Sequence, residues 1–592
     1  MKPLLKTSHR LRLTKSLSSL TQASALVAAC ATNGSLARMP PASTGNGAFA
    51  TLAQSILDDH LRRYPSEATD LGIHSFDSQL EDLSEAAIHK ASQAAKTFRA
   101  RLTQIDPAKL TLDNALDQQL LIHVMDSTAL EFDTVRTWQK DPDIYSSAIT
   151  NAAFVIIKRD YAPAQARLTA LIARERQMPE TLRQARKNLS QAVPIYTQIA
   201  LEQIDGNTSF FANDVPSAFP EVKDRALLAK FHQANSAVIT ALREYKDFLV
   251  QHVLPRAKAS YAYGADTFAK ALSADEMVEL PLDQLLAIGE ADRQKNERAF
   301  QSVAKQIDAH KSAEAVLAAL QEDHPPPEKL LASTQQALDS IRQFILDHHI
   351  VTIPASDPVE VKETPSFLRA TTSASMDTPG PFETAPVRAF YNMTLPDLRD
   401  SAADQEDFMR QWYNAAIVNT SVHEAYPGHY IQFLYAKHLP SDVRKVFGAS
   451  SNFEGWAHYC EQMMLDEGFH ADDPSFRLAQ LQDALLRDVR LIVGIKLHTQ
   501  GMTLEEATRL FEVQAHQPHP VALQEAKRGT NDALYGYYTL GKLMILKLRD
   551  DYSAKLGAAY TLQGFHDALM GVGPMPMPLV RRALLGEEGS LL

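Results

Sequence analysis

Two imidazoles around a carboxylate, in His423-Glu424-Ala425-Tyr426-Pro427-Gly428-His429, are the residues of this chain best suited to chemistry, and Glu454 follows where a third ligand would stand. Zinc takes about four tetrahedral ligands, and a catalytic site leaves one position to a water whose pKa falls to about 7. Two His and one Glu fill the other three positions with residue types that zinc accepts. Glu424, beside His423 in sequence, is placed to take the proton of that water. The expectation is one Zn2+ ion held by His423, His429 and Glu454, with Glu424 as general base.

In the commoner His-Glu-x-x-His arrangement the two His share one face of one helix. Here the spacing is six residues, which carries the second ring through roughly 600°, or about 240° around an unbroken helix. Pro427-Gly428 supplies the break that would swing His429 back, because proline removes a helical hydrogen bond and glycine tolerates unusual dihedrals. The competing reading takes Ser421-x-x-Glu424 as a capping box and Pro-Gly as a plain turn, with both His exposed. The second half of the pattern weighs against it. In Phe453-Glu454-Gly455-Trp456-Ala457-His458-Tyr459-Cys460-Glu461, the residues Glu454, His458 and Glu461 form a polar stripe at i, i+4 and i+7 on a helix otherwise rich in Trp, Tyr, Met and Leu. Polar groups there need partners. Glu461 suits a group that orients a His ring, and His458 is either another such group or, the commoner case, a satisfied core histidine. Asp347-His348-His349 and His516-x-x-His519 lack an adjacent base and read as surface or capping histidines.

The elements that must position these residues read as mainly α. From Phe49 to about residue 349, apolar residues recur at three and four, as in Leu52, Ile56 and Leu57, giving a helical scaffold that Pro325-Pro326-Pro327 punctuates. Residues 350–592 read as the catalytic part. Within it, residues 350–397 change character, with Val351-Thr352-Ile353, Val359-Glu360-Val361 and Val387 to Tyr391 between many prolines, which predicts a small irregular β-sheet beside the cleft. Tyr391 and Asn392 would flank that cleft, and a strand edge there could take an extended substrate backbone. Helical periodicity resumes near Asp404 and continues to the end.

At 592 residues the chain exceeds the usual single core of about 250 to 300 residues. Hydrophobic residues at 45% and charged ones at 22% exclude wholesale disorder and a polytopic membrane protein. A formal net charge of −12 argues against nucleic-acid binding. Residues 1–30 read as an export signal, basic at Lys2, Lys6, Arg10, Arg12 and Lys15 and uncharged from Leu17 to Ala29. Val27-Ala28-Ala29-Cys30 is similar to a lipobox, so Cys30 would carry an outer-membrane lipid anchor. Residues 31–48 read as a flexible tether. The expected location is periplasmic or anchored to the cell envelope.

On these residues the chain resembles the bacterial domain of unknown function 885 family, whose hallmark is the His-Glu-Ala-Tyr-Pro-Gly-His run followed by Glu-Gly-Trp-Ala. The likeness covers roughly residues 50 to 585 and extends to Arg528-Gly529-Thr530 and Tyr538-Thr539-Leu540-Gly541-Lys542-Leu543. That family is similar in turn to mainly helical zinc peptidases such as the angiotensin-converting-enzyme, thimet-oligopeptidase and carboxypeptidase Taq groups. The resemblance implies a peptidase and a helical zinc-peptidase-like body. Dipeptidyl peptidase III carries a His-Glu motif lengthened by one residue, so an expanded spacing is compatible with metal. At residues 532 to 538 this sequence reads Asp-Ala-Leu-Tyr-Gly-Tyr-Tyr where many members carry Pro-Gly-Gln-Ala-Leu-x-Tyr, so subsite details are not carried across.

The expected activity is hydrolysis of a peptide bond through a metal-activated water, with Glu424 taking the proton and delivering it to the leaving amine. Tyr538 is the first candidate for a second donor to the oxyanion, followed by Arg528, Tyr535 and His498. The tyrosines read equally as an aromatic stripe that buries a helix. Two other functions stay open: a metal-free envelope binding or scaffold protein of the same fold, and a zinc amidase acting on a small non-peptide amide.

Overall fold

The computed structural model describes residues 44 to 592 except 356–358, 366–368 and 370–371. The leader, Cys30 and the tether up to residue 43 lie outside the described residues. The first helix is Thr44–Arg63, so structure begins ahead of the predicted Phe49. Tertiary bonds account for the early start: the Asn46 side chain accepts from the Thr111 amide at 3.1 Å and from Asn114 Nδ2 at 2.9 Å. These bonds offset the low helix propensity of Gly45 and Gly47.

The protein is mainly α, with one small sheet. Three apolar clusters hold it together. One has its buried residues between 145 and 253, around Phe210, Phe211 and Tyr245, with Leu80 and Leu83 packed against it. A second joins Leu52, Ile56 and Leu120 to Ile431, Met463, Ile545 and Leu579. A third joins Phe300 to Leu485, Val489, Phe511 and Tyr538. The core thus crosses residue 349 freely, and helix Leu282–Ile307 packs along helix Pro474–Thr499. No helix among the described residues is long and apolar enough to cross a membrane.

The sheet has three strands, β1 (Glu360–Glu363), β2 (Ala374–Asp377) and β3 (Phe390–Met393), in the order β1-β3-β2. β1 pairs parallel and β2 antiparallel with β3. Val351-Thr352-Ile353 is not a strand. Its polar backbone is taken elsewhere, since the Asp567 carboxylate accepts from the Thr352 amide at 2.8 Å and from its hydroxyl at 2.6 Å. Tyr391 and Asn392 lie on the middle strand, 0% and 6% exposed, and so do not flank a cleft. The edge strand that meets the site is β2. Its Met376 amide donates to Glu424 Oε2 at 3.0 Å, and its Asp377 pairs with Lys158 at 3.1 Å and Arg159 at 2.6 Å.

Candidate metal centre

The motif helix Asn414–Glu424 stops at the glutamate, and a new helix, His429–Ala436, starts at the second histidine. Between them the chain folds back over the helix end, with the Gly428 amide donating to the Val422 carbonyl at 3.0 Å. A Cβ on Gly428 would lie 1.8 Å from the His423 carbonyl oxygen, so only glycine allows this return. The carbonyls that the break leaves free are met from the facing helix, Ser450–Asp466, where Trp456 Nε1 donates to Pro427 O at 2.9 Å and to Gly428 O at 3.3 Å. The broken spacing therefore brings His429 back to His423, with ring centroids 4.9 Å apart and planes at 88°.

The same facing helix delivers Glu454. Its Oε2 lies 3.4 Å from His423 Nε2 and 3.4 Å from His429 Nε2. Ligand bonds of about 2.0 to 2.1 Å in a tetrahedron put neighbouring donor atoms about 3.3 to 3.4 Å apart. All three donor atoms fall within 4.8 Å of one another. Glu454 Oε2 and His429 Nδ1 are buried without a hydrogen-bond partner, and the three side chains are only 7% to 13% exposed. A buried carboxylate oxygen aimed at two imidazole nitrogens with no proton bridge in good geometry is what a cation between them would satisfy. The residues fit one Zn2+ ion.

Around the ligands stands the orienting layer. His423 Nδ1 is 2.7 Å from Glu461 Oε1, which fixes the tautomer that leaves Nε2 toward Glu454. Glu461 is also held by Arg487 Nη2 at 3.0 Å and by His458 Nδ1 at 3.2 Å. Burial alone would raise the Glu461 carboxyl, but Arg487, His458 and His423 hold it well below the usual carboxylate range. Burial likewise pushes against charge on His423, yet whenever no ion lies between the ligands Glu454 and Glu461 outweigh it and lift the ring to about 9, so a cation would have to displace the Nε2 proton. His458 is 0% exposed, and burial pushes it down to about 3, so it is a neutral core imidazole serving Glu461. Replacing Glu461 by Gln should weaken zinc binding about 10- to 100-fold, read by competition with a chromogenic chelator.

Glu424 lies outside the ligand set. Its carboxyl is raised by burial, against the opposing pull of His429 and His423 and the Met376 amide. Tyr538 stands on helix Tyr537–Leu556 with its ring 6.3 Å from that of His423. The Arg528 guanidinium reaches the Tyr538 hydroxyl at 3.4 Å and is itself braced by Asp532 Oδ2 at 3.0 Å. Arg490, paired bidentately with Glu525, lies over the same ring at 5.0 Å. Two other candidates are placed elsewhere. Tyr535 is 0% exposed in the core, and His498 Nε2 faces the Gly529 carbonyl at 2.8 Å amid Tyr261, Tyr263 and Phe268. His348 stacks on Phe344 at the helix end, whereas His516 is not a surface residue: its side chain is largely buried, stacked on Phe300 and paired with Glu297 at 2.9 Å.

Sequence reasoning missed Arg487, Arg490, the β2 amide and Asn419, whose Nδ2 donates to Glu461 Oε2 at 3.4 Å and to Asp483 Oδ2 at 2.6 Å. The signal for the arginines was present, since Arg487-Asp488-Val489-Arg490 interrupts an apolar helix with charges that burial must pair. Behind Gly455 the two helices touch backbone to backbone: a Cβ there would sit 2.4 Å from Gly541 Cα. This contact explains the glycine of Glu-Gly-Trp-Ala and that of Thr-Leu-Gly-Lys. Lys542, one residue on, pairs in the interior with Asp292 at 2.7 Å.

Fold and site together define a mainly helical protein closed on a buried His-His-Glu cluster with a carboxylate beside it. Two solved structures described as a "putative lipoprotein" are similar to the chain. The one of unknown function from Shewanella oneidensis is 25% identical, with a TM-score of 0.76, covering 91% of this chain and 99% of that one. The one from Colwellia psychrerythraea is 20% identical, with a TM-score of 0.79, covering 92% and 99%, and shows the fold. No curated protein matches the sequence. Residues 65–584 match the family described as bacterial protein of unknown function (DUF885), and the chain belongs to that family.

Proposed function

We propose that this protein is an exported zinc metallopeptidase that hydrolyses peptide bonds, with His423, His429 and Glu454 holding one ion and Glu424 acting as general base. The observation that carries the reading is the pair of 3.4 Å separations between Glu454 Oε2 and the two imidazole Nε2 atoms, with a second, non-ligating carboxylate next to them. That carboxylate anchors the Met376 amide, and its place beside both imidazoles is also the one a general base needs.

When bound, zinc supplies Lewis-acid polarisation of a carbonyl and brings the pKa of a water to about 7. The chain does the rest. Glu424 takes the water proton on a carboxylate oxygen and passes it to the leaving amine, while the Met376 amide keeps its Oε2 in place. Glu461 and Arg487 hold His423 in one tautomer. The outer edge of β2, apart from the Met376 amide that Glu424 holds, gives an extended substrate a backbone to pair with. The Tyr538 hydroxyl, held by Arg528, donates to the oxygen that gains charge. Changing Tyr538 to Phe should therefore lower kcat by about 10²- to 10³-fold with zinc content unchanged. Equal kcat in the two proteins would remove the tyrosine from the mechanism.

The lipoprotein description of both similar structures supports export, with Cys30 as the lipidated residue and the envelope as the location. Metal analysis of the purified protein, followed by a peptide-library digest, tests the proposal. One equivalent of zinc with cleavage of peptides is expected. Zinc with hydrolysis of small amides alone would make the enzyme an amidase, and protein that takes up no zinc would end the metallopeptidase reading.

A further inference from the structure

A cavity of about 200 Å³ lies behind Tyr537, far larger than the roughly 10 to 15 Å³ that one water needs. Four carboxyl residues line it: Glu131, the adjacent Asp275 and Glu276, and Asp532, from three separate parts of the chain. Among the described residues on its walls there is no lysine or arginine, and the two histidines are already engaged, His60 by Glu67 at 2.8 Å and His123 by the Ser273 carbonyl at 3.1 Å. Two of the carboxyls serve the fold. Glu276 accepts from the Ser451 amide at 3.0 Å, and Glu131 accepts from the Thr137 amide at 3.1 Å.

The other two are open to a ligand. Asp532 is only 6% exposed and spends Oδ2 on Arg528 and Tyr537, leaving Oδ1 without a hydrogen bond among the described residues. Asp275 touches the Ser127 hydroxyl but no cation, and burial pushes its carboxyl up to about 6. Tyr64, Tyr263 and Tyr537 add aromatic faces to the walls. Asp532 already has Arg528 as a partner on one oxygen, but Asp275 has no basic residue against it among the described residues, and a cation in the cavity would gain an ion pair with Asp275 and contacts with the tyrosine rings.

The geometry points to this cavity as a binding site for a cationic nitrogen group, a guanidinium or ammonium, carried by the substrate. That the ligand is a substrate rests on the peptidase reading, whereas the binding itself does not. The wall formed by Asp532 and Tyr537 is shared with the metal centre. Ring-to-ring steps of 5.0 Å from Tyr537 to Tyr538 and 6.3 Å from Tyr538 to His423 separate the two. At about 3.3 to 3.6 Å per extended residue, a substrate that reaches round the Tyr537 wall needs at least about three residues between the carbonyl at the metal and its cationic group.

Calorimetry on the full chain with three small probes tests this without relying on turnover. N-acetylarginine amide presents only a guanidinium, alanine amide presents only a free amino terminus, and N-acetylcitrulline amide presents neither. The expected result is binding of one of the first two, none of the third, and a loss of about tenfold or more in affinity in Asp275→Asn, whose fold is checked by thermal unfolding. Whichever probe binds identifies the source of the charge. Binding of no probe, equal binding of all three, or unchanged affinity in both Asp275→Asn and Glu131→Gln would overturn the proposal. Absence of peptide cleavage alongside selective cation binding would instead count against the peptidase reading alone.

Discussion

Glu424→Gln is expected to lower kcat by about 10²- to 10⁴-fold, the range that a positioned general acid–base group contributes. The change keeps the side-chain volume and leaves an oxygen to accept from the Met376 amide, so β2 should stay where it is. What it removes is a group able to take a proton. Zinc content should remain at the wild-type level, because the ligand cluster consists of His423, His429 and Glu454 without Glu424. In free energy the expected loss is about 2.7 to 5.4 kcal/mol of transition-state stabilisation, at about 1.36 kcal/mol per decade. Single-turnover kinetics on the best peptide from the library digest, with metal analysis of the same samples, separates the outcomes. Wild-type turnover in the variant would show that Glu424 is not the base. Loss of zinc together with activity would make it a ligand.

The site was more legible than the scaffold around it, for a physical reason. His423, Glu424, His429, Glu454 and Glu461 are chemically distinctive, and Pro427-Gly428 announces a break by its own covalent constraints. Those constraints act within a few residues, where sequence reports them directly. The direction of the break was less visible, because it depends on Trp456 from another helix receiving the turn's carbonyls. The sheet shows the same division. Val359-Glu360-Val361 and Phe390-Tyr391 carry β propensity and do contribute to strands, whereas Ala374-Ser375-Met376-Asp377 has little and becomes β2 only because β3 and Glu424 take its backbone groups. Val351-Thr352-Ile353 has the propensity but finds Asp567 instead of a neighbouring strand. His498 looked like a reactive residue and is a core histidine, since nothing in its local sequence tells that Tyr261, Tyr263 and Phe268 enclose it.

Gly428→Ala is expected to abolish zinc binding while most of the fold survives, a drop of at least about 100-fold in affinity if the ligands are displaced by an ångström or so. The added Cβ would fall 1.8 Å from the His423 carbonyl oxygen, 2.5 Å from that of Val422 and 2.6 Å from the His423 carbonyl carbon. These are backbone atoms at the end of a helix and cannot rotate away as a side chain would. The turn must therefore open. Opening it breaks the Gly428 to Val422 hydrogen bond and shifts His429 relative to His423, whose donor atoms both need to stay 3.4 Å from Glu454 Oε2. The overpacking itself should cost about 1 to 3 kcal/mol or more, which a core of this size tolerates. Gly206→Ala is the matched control, because a Cβ there meets nothing within 4 Å. Zinc titration and far-ultraviolet circular dichroism on both variants give the readout. Stoichiometric, tight zinc in Gly428→Ala would mean that the return of the chain over the motif helix is not what aligns the two imidazoles.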